Sequence, residues 1–172
     1  MSAMSVIGSE SWHPGTPIHC LVLLLCYAIG CVVTAWYLVR WRTGADLRGM
    51  NSGTTGARNA GRVLGRGGFV IVALLDGLRG LLAMSLAAAF GLREWWLTAA
   101  GLAVLAGHLW PAQLGFHGGK GIAVSVGVLV WLLPLRTAPE WTLAGLLLSL
   151  VLWSHRKDIR NRFQPKIGRA HV

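Results

Sequence analysis

Between Ile18 and Val39 the chain runs for 22 residues without a charged side chain. A helix rises 1.5 Å per residue, so about 20 apolar residues cross the ~30 Å hydrocarbon layer of a bilayer. The run closes in Arg40-Trp41-Arg42, an aromatic and basic collar of the kind that sits at a membrane interface. Composition agrees: 54% of residues are hydrophobic and 13% charged, where soluble domains carry nearer a quarter charged. The 23 glycines suit helices that meet through small residues.

Four further spans follow, which predicts an all-α, polytopic transmembrane helix bundle of about five spans. Residues 40–68 form a polar, Gly-rich stretch with arginines at 40, 42, 48, 58, 62 and 66 and one acid, Asp46. It reads as a loop or as broken helices lining a site. The second span is Phe69–Leu92. It carries Asp76 and Arg79, three apart on one helical face and expected to pair inside the bundle. The third span is Trp95–Ala112, followed by the loop Gln113–Gly121. The fourth is Ile122–Leu135 and the fifth about Pro139–Trp153, both short for a full crossing.

Counting crossings places residues 40–68, 113–121 and 154–172 on one face of a single membrane domain, 1–172. The opposite connections, Arg93–Glu94 and Arg136–Ala138, are tiny. The bias of Lys and Arg puts the rich face in the cytoplasm, with the N-terminus outside and the C-terminus cytoplasmic. The net charge of +10, from 16 Lys and Arg against 6 Asp and Glu, therefore belongs to loops beside anionic lipid. A nucleic-acid partner is not expected. Cys20, Cys26 and Cys31 all lie in the first span at spacings that match no zinc or redox motif, so neither metal nor disulfide is expected. Residues 1–17 lack a basic start before an apolar core; the first span itself is the anchor.

Three segments carry chemistry. In Ser52-Gly53-Thr54-Thr55-Gly56-Ala57-Arg58-Asn59-Ala60-Gly61-Arg62, glycines let backbone N–H groups turn toward an anion and the hydroxyls add donors. Arg58 and Arg62, four apart, offer guanidinium forks to phosphate oxygens. The bland alternative is a flexible loop with positive-inside arginines. In the second segment Gly107-His108 and Pro111 precede Phe116-His117-Gly118-Gly119-Lys120-Gly121. Gly-Gly-Lys-Gly before a helix resembles a phosphate cradle, although it is not a Walker A loop. The third is His155-Arg156-Lys157-Asp158-Ile159-Arg160, where His155 could orient or protonate a substrate oxygen. His13, His19 and His171 carry no expected role.

In that order the segments resemble the bacterial acyl-phosphate:glycerol-3-phosphate acyltransferase family, membrane enzymes that begin phospholipid synthesis. Tyr27-Ala28-Ile29-Gly30 with Tyr37-Leu38 resembles the first helix of the family. Ser52 through Asn59 with Arg62-Val63-Leu64-Gly65 resembles its first motif, and Leu74-Leu75-Asp76 with Arg79-Gly80 the signature after it. Gly107-His108, Pro111, Phe116 and Gly118–Gly121 resemble its second motif, and His155-Arg156 with Asp158-Ile159 and Arg160 its third. The resemblance implies transfer of an acyl chain from acyl phosphate to the 1-hydroxyl of glycerol 3-phosphate, giving lysophosphatidic acid and phosphate, at the cytoplasmic face of the bacterial inner membrane. It implies catalytic roles for Ser52, Arg62, Lys120 and His155. Substrate binding would fall to Gly53, Thr54, Arg58, Asn59, His108, Gly118, Gly119, Gly121 and Asp158, with the motif glycines cradling the acyl-phosphate group. No cofactor is implied, and no protein base: the phosphate of the donor can accept the hydroxyl proton.

The sequence departs from the family pattern at Thr54, Arg58, Val124, Asp158 and Gln164. It is also shorter between Lys120 and His155 by roughly forty residues, about two membrane helices. Two other functions are compatible with these residues: a catalytically impaired paralogue that binds phosphate or lipid headgroups, and a transporter of small phosphorylated solutes.

Overall fold

The computed structural model describes residues 17–133, 142, 145–147 and 149–156, and its regular elements are all helical. Helix α1 is Pro17–Cys31, α2 Thr34–Thr43, α3 Ala57–Ala89, α4 Trp95–Leu109 and α5 Ile122–Leu132. Residues 142, 145–147 and 149–156 are also helical. Two stretches, 17–43 and 57–89, are long and apolar enough to cross a membrane, and Ile122–Leu132 is a shorter apolar helix.

Several boundaries differ from the sequence expectation. The first apolar run is two helices, interrupted at the β-branched pair Val32–Val33, and it continues past Val39 to Thr43. There Gly44 takes the left-handed conformation, φ 72°, that closes a helix C-terminus. The polar stretch 40–68 is mostly helical: α3 begins at Ala57, leaving 44–56 as a loop that holds one 3-10 turn, Leu47–Gly49. Gly65, at φ 76° and ψ −172°, bends α3 and folds Phe69 back against Gly61. Helix α3 ends at Ala89, short of Leu92. Gly91 N–H bonds to Ala88 O and Leu92 N–H to Ala87 O, the paired bonds of a Schellman stop. The third span stops at Leu109 instead of Ala112 as the chain turns into Pro111. The end of the fourth expected span and the start of the fifth lie outside the described residues, as do Lys157 through Val172.

The helices meet where side chains vanish. A Cβ on Gly30 would lie 2.1 Å from Val104 O, and one on Gly107 2.1 Å from Tyr27 O, so α1 and α4 touch backbone to backbone. Helices α3 and α5 do the same at Gly127, where a Cβ would meet Gly77 O at 1.9 Å. Val22, Cys26, Met84, Val104, Leu105, Val124 and Val128 fill the core between these pairs. A second cluster, Ala35, Val39, Leu47, Ala60 and Val72, seats α2 and the 44–56 loop on α3.

Polarity is reversed relative to a soluble fold. Leu24 and Leu74 are 63% exposed and Leu82 57%, whereas Asp76 is 2% and Arg79 8% exposed. Aliphatic rows outside and an ion pair inside suit lipid as the surrounding solvent. Asp76 and Arg79 pair as their spacing suggests.

Candidate functional site

The 44–56 loop is built around two polar side chains. Asp46 accepts from Arg48 N–H (2.9 Å) and Trp36 Nε1 (3.1 Å), and it pairs with the Arg48 guanidinium at 2.6 Å. The hydrogen bonds from Arg48 hold the Asp46 carboxyl well below the usual carboxylate range. Arg48 Nη1 also donates to Leu114 O at 2.8 Å, joining this loop to the next one. Asn59, almost fully buried, directs Nδ2 at the carbonyls of Leu47 (3.2 Å), Met50 (3.1 Å) and Thr54 (2.8 Å), and its Oδ1 accepts from Ser52 N–H at 3.4 Å. That brace folds the loop so that Ser52 Oγ and Thr54 Oγ1 lie 3.1 Å apart and share a hydrogen bond.

The second segment turns back along the end of α4. Gly118 N–H donates to Leu109 O (3.1 Å) and Gly119 N–H to His108 O (3.0 Å), while Gly118 O accepts from Thr55 N–H (3.3 Å). The approach is so close that a Cβ on Gly119 would lie 2.2 Å from His108 Nε2. His108 is buried, and its Nδ1 has no hydrogen-bond partner. The third segment touches the second at Ser154, whose single hydroxyl hydrogen is shared between Lys120 O at 3.0 Å and Val151 O of its own helix at 2.8 Å. His155 Nδ1 lies 2.9 Å from Val151 O, so that nitrogen carries the proton in the neutral ring and Nε2 is left as the acceptor.

All three segments open on one cavity of about 660 Å³. Ser52, Thr54, Arg58, Asn59 and Arg62 line it from the first segment, His108, Lys120 and Gly121 from the second and His155 from the third. Gly53, Gly118 and Gly119 are not among its lining residues; they shape the backbone behind it. The expected cradle of glycine amides is thus corrected in part. The N–H groups of Gly118 and Gly119 point into helix-end carbonyls that would otherwise lack donors. Likewise the Asn59 amide hydrogens serve the loop. Asp158 lies outside the described residues.

Sequence reasoning assigned no site role to one wall. Phe69, Ala73 and Asp76 line the cavity together with Ile122 and Ala123. The signal was present: 69, 73 and 76 recur at the spacing of one helical face.

The cavity is strongly cationic. Burial lowers the Lys120 ammonium below its ordinary value, and the positive charges of Arg58 and Arg62 lower it further. Asp76, the acid on the wall, is already paired with Arg79. A doubly charged phosphate group would relieve the mutual repulsion of these cations and accept hydrogen bonds from them and from the Ser52 and Thr54 hydroxyls.

A family profile described as "Glycerol-3-phosphate acyltransferase" matches residues 20–154. Among similar proteins, the glycerol-3-phosphate acyltransferase of Synechococcus sp. (strain CC9902) is 46% identical over 112 residues, covering 65% of this chain and 56% of that protein. Glycerol-3-phosphate acyltransferase 1 of Desulfitobacterium hafniense (strain Y51) is 37% identical over 181 residues, covering 83% of this chain and 90% of that protein. The chain thus spans little more than half the length of the first relative and nine-tenths of the second. Among solved structures, the glycerol 3-phosphate form of PlsY, an integral membrane glycerol 3-phosphate acyltransferase, superposes with a TM-score of 0.76 at 26% identity. That match covers 90% of this chain and 94% of the other. The lysophosphatidic acid form gives 0.73 at 24% identity.

Proposed function

The chain belongs to the glycerol-3-phosphate acyltransferase family, and from that premise we propose that its cavity transfers an acyl chain from acyl phosphate to the 1-hydroxyl of glycerol 3-phosphate. The hydroxyl oxygen forms a bond to the acyl carbon, and the bond from that carbon to the phosphate oxygen breaks. The departing phosphate takes the hydroxyl proton, giving lysophosphatidic acid and inorganic phosphate. The observation that carries this proposal is the meeting of Ser52, Arg62, Lys120 and His155 on one cavity, although they stand far apart in sequence.

Each group has a task set by its chemistry. Arg58, Arg62 and Lys120 neutralise phosphate charge, and charge-assisted bonds to them hold both substrates in one orientation. Ser52 and Thr54 donate hydroxyl hydrogens to oxygens that gain charge as the acyl–phosphate bond breaks. His155 is held through Nδ1, which aims the ring and leaves Nε2 to accept from the non-reacting 2-hydroxyl of glycerol 3-phosphate. Phe69, Ala73, Ile122 and Ala123 give the cavity an apolar side suited to the first carbons of an acyl chain.

The protein is an integral membrane protein of helical fold. We assign it five crossings of the bacterial inner membrane, N-terminus outside, with 40–68, 113–121 and 154–172 on the cytoplasmic face. Arginine-rich segments meeting at one cavity support that assignment.

Purified protein given acyl phosphate and glycerol 3-phosphate tests the proposal. Turnover is expected in the native chain and loss of it in Ser52→Ala; unchanged turnover in that variant removes Ser52 from the chemistry. Binding of glycerol 3-phosphate with no turnover in the native chain would establish the impaired paralogue instead.

A further inference from the structure

The interruption at Val32–Val33 takes the carbonyls of Gly30, Cys31 and Val32 off the helix ladder: α1 ends at Cys31, and Trp36 N–H, which would reach Val32 O in a continuous helix, donates to Val33 O instead. Inside a bilayer an unpartnered carbonyl is costly. Here each of the three has a side-chain donor. Arg79 Nη1 donates to Gly30 O at 3.1 Å and also to Val32 O, and Gln113 Nε2 donates to Cys31 O. The donors come from two different places, the middle of α3 and the loop that carries Lys120. Arg79 is anchored by Asp76, which lies on the cavity wall.

The break has a geometric consequence. It lets α1 follow α4, the two packing through Gly30 and Gly107. It also lets α2 follow α3, where Val39 joins Leu47 and Ala60. Helix α2 leads directly into the loop bearing Ser52, so the angle at the break sets where that loop lands.

We propose that Arg79 and Gln113 are positioning residues for the acyl transfer, holding the interrupted first helix in the geometry that brings the Ser52 loop over the cavity and against the Lys120 segment. This rests on the function proposed above. Gln113→Leu removes one donor without stranding a charge; Arg79→Lys keeps the charge beside Asp76 and loses the two-pronged grip. Each is expected to lower kcat/KM about 10-fold, because small misplacements of reacting groups are expensive in rate. Amide hydrogen exchange of residues 44–56 is expected to quicken in both. Gln113→Lys, which restores an N–H donor, is expected to recover most of the rate. Variants that only lose thermal stability while kcat, KM and exchange of 44–56 stay native would overturn the proposal and leave the two residues as structural caps. If the native protein proves inactive, the function fails separately. Exchange of 44–56 and binding of glycerol 3-phosphate by the same variants still decide the positioning role.

Discussion

Gly118→Ala offers a sharp test of how the site is held. A Cβ there would lie 2.1 Å from His108 O, 2.6 Å from Pro111 Cδ and 2.7 Å from Leu109 O. Two of these neighbours are backbone atoms of a helix end that is itself packed on α1, so neither can retreat. Ordinary contact begins near 3.4 Å, and the segment must therefore lift by about 1.3 Å. Three backbone bonds stretch in consequence, Gly118 N–H to Leu109 O at 3.1 Å, Gly119 N–H to His108 O at 3.0 Å and Thr55 N–H to Gly118 O at 3.3 Å. At about 1 kcal/mol each, they cost folded stability modestly. The larger effect falls on Lys120, two residues on. A displacement of about 1 Å in a group that positions a substrate can cost about 100-fold in rate. Initial rates with acyl phosphate and glycerol 3-phosphate, normalised to the monodisperse fraction in detergent, should show kcat/KM down about 100-fold. The apparent melting temperature should fall only slightly. Gly67→Ala is the control: no atom lies within 4 Å of its would-be Cβ, and its backbone is helical, so full activity and slightly higher stability are expected. Kcat/KM within about 3-fold of native in Gly118→Ala would refute the claim that this backbone approach places Lys120.

Asn59→Ala leaves the carbonyls of Leu47, Met50 and Thr54 without their shared donor. A loss of about 1–3 kcal/mol is expected, read as a lower denaturation midpoint, together with faster proteolysis within 44–56. For Lys120 the sign of the pH effect follows from its lowered pKa. The folded protein sheds this proton at a pH where an unfolded lysine still holds it, so between the folded value and 10.5 the unfolded chain binds more protons and stability rises with pH. Affinity for a phosphate ligand runs the other way, because only the charged ammonium pairs with it. Binding of glycerol 3-phosphate, followed by calorimetry, should weaken as pH climbs through that range. In Lys120→Arg the alkaline loss should move higher, since guanidinium keeps its charge. An unmoved alkaline limb would show that another group controls it.

What could be read from the sequence was which segments to examine, because Gly, Ser and Arg cluster in them, and Ser52, Arg62, Lys120 and His155 all line one cavity. The sequence also pointed to their convergence, and Ser52, Lys120 and His155 do meet on one cavity. The break at Val32–Val33 was not legible. Hydropathy cannot distinguish one apolar helix from two, and the donors that satisfy the break, Arg79 and Gln113, are far away in sequence. The start of α3 was hidden for the opposite reason. Arginines at 58, 62 and 66 left residues 57–68 open between a loop and broken helices, and they are the first turns of α3, broken at Gly65; arginine is a good helix former and Arg58 and Arg62 already stood four apart. Asp76 was legible as the partner of Arg79, but its place on the cavity wall depends on the bend at Gly65 that turns Phe69 inward. Nor could composition tell where the Gly118 and Gly119 amides point. That depends on the helix end at His108 and Leu109, whose carbonyls compete with any ligand for them.

These bonds bear on how a chain shorter than the family pattern between Lys120 and His155 can still assemble the site. The segment 111–121 is the hub. Arg48 grips it from the first loop at Leu114 O, and Thr55 does so at Gly118 O. Gln113 ties it to α1, Gly118 and Gly119 tie it to α4, and Ser154 reaches Lys120 O from the third segment. His155 thus stands beside a direct contact between the second and third segments, and its own ring is tied to Val151 O. The apolar wall of Phe69, Ala73, Ile122 and Ala123 comes from α3 and α5, while the cationic end of the cavity is held by the contacts that converge on the hub.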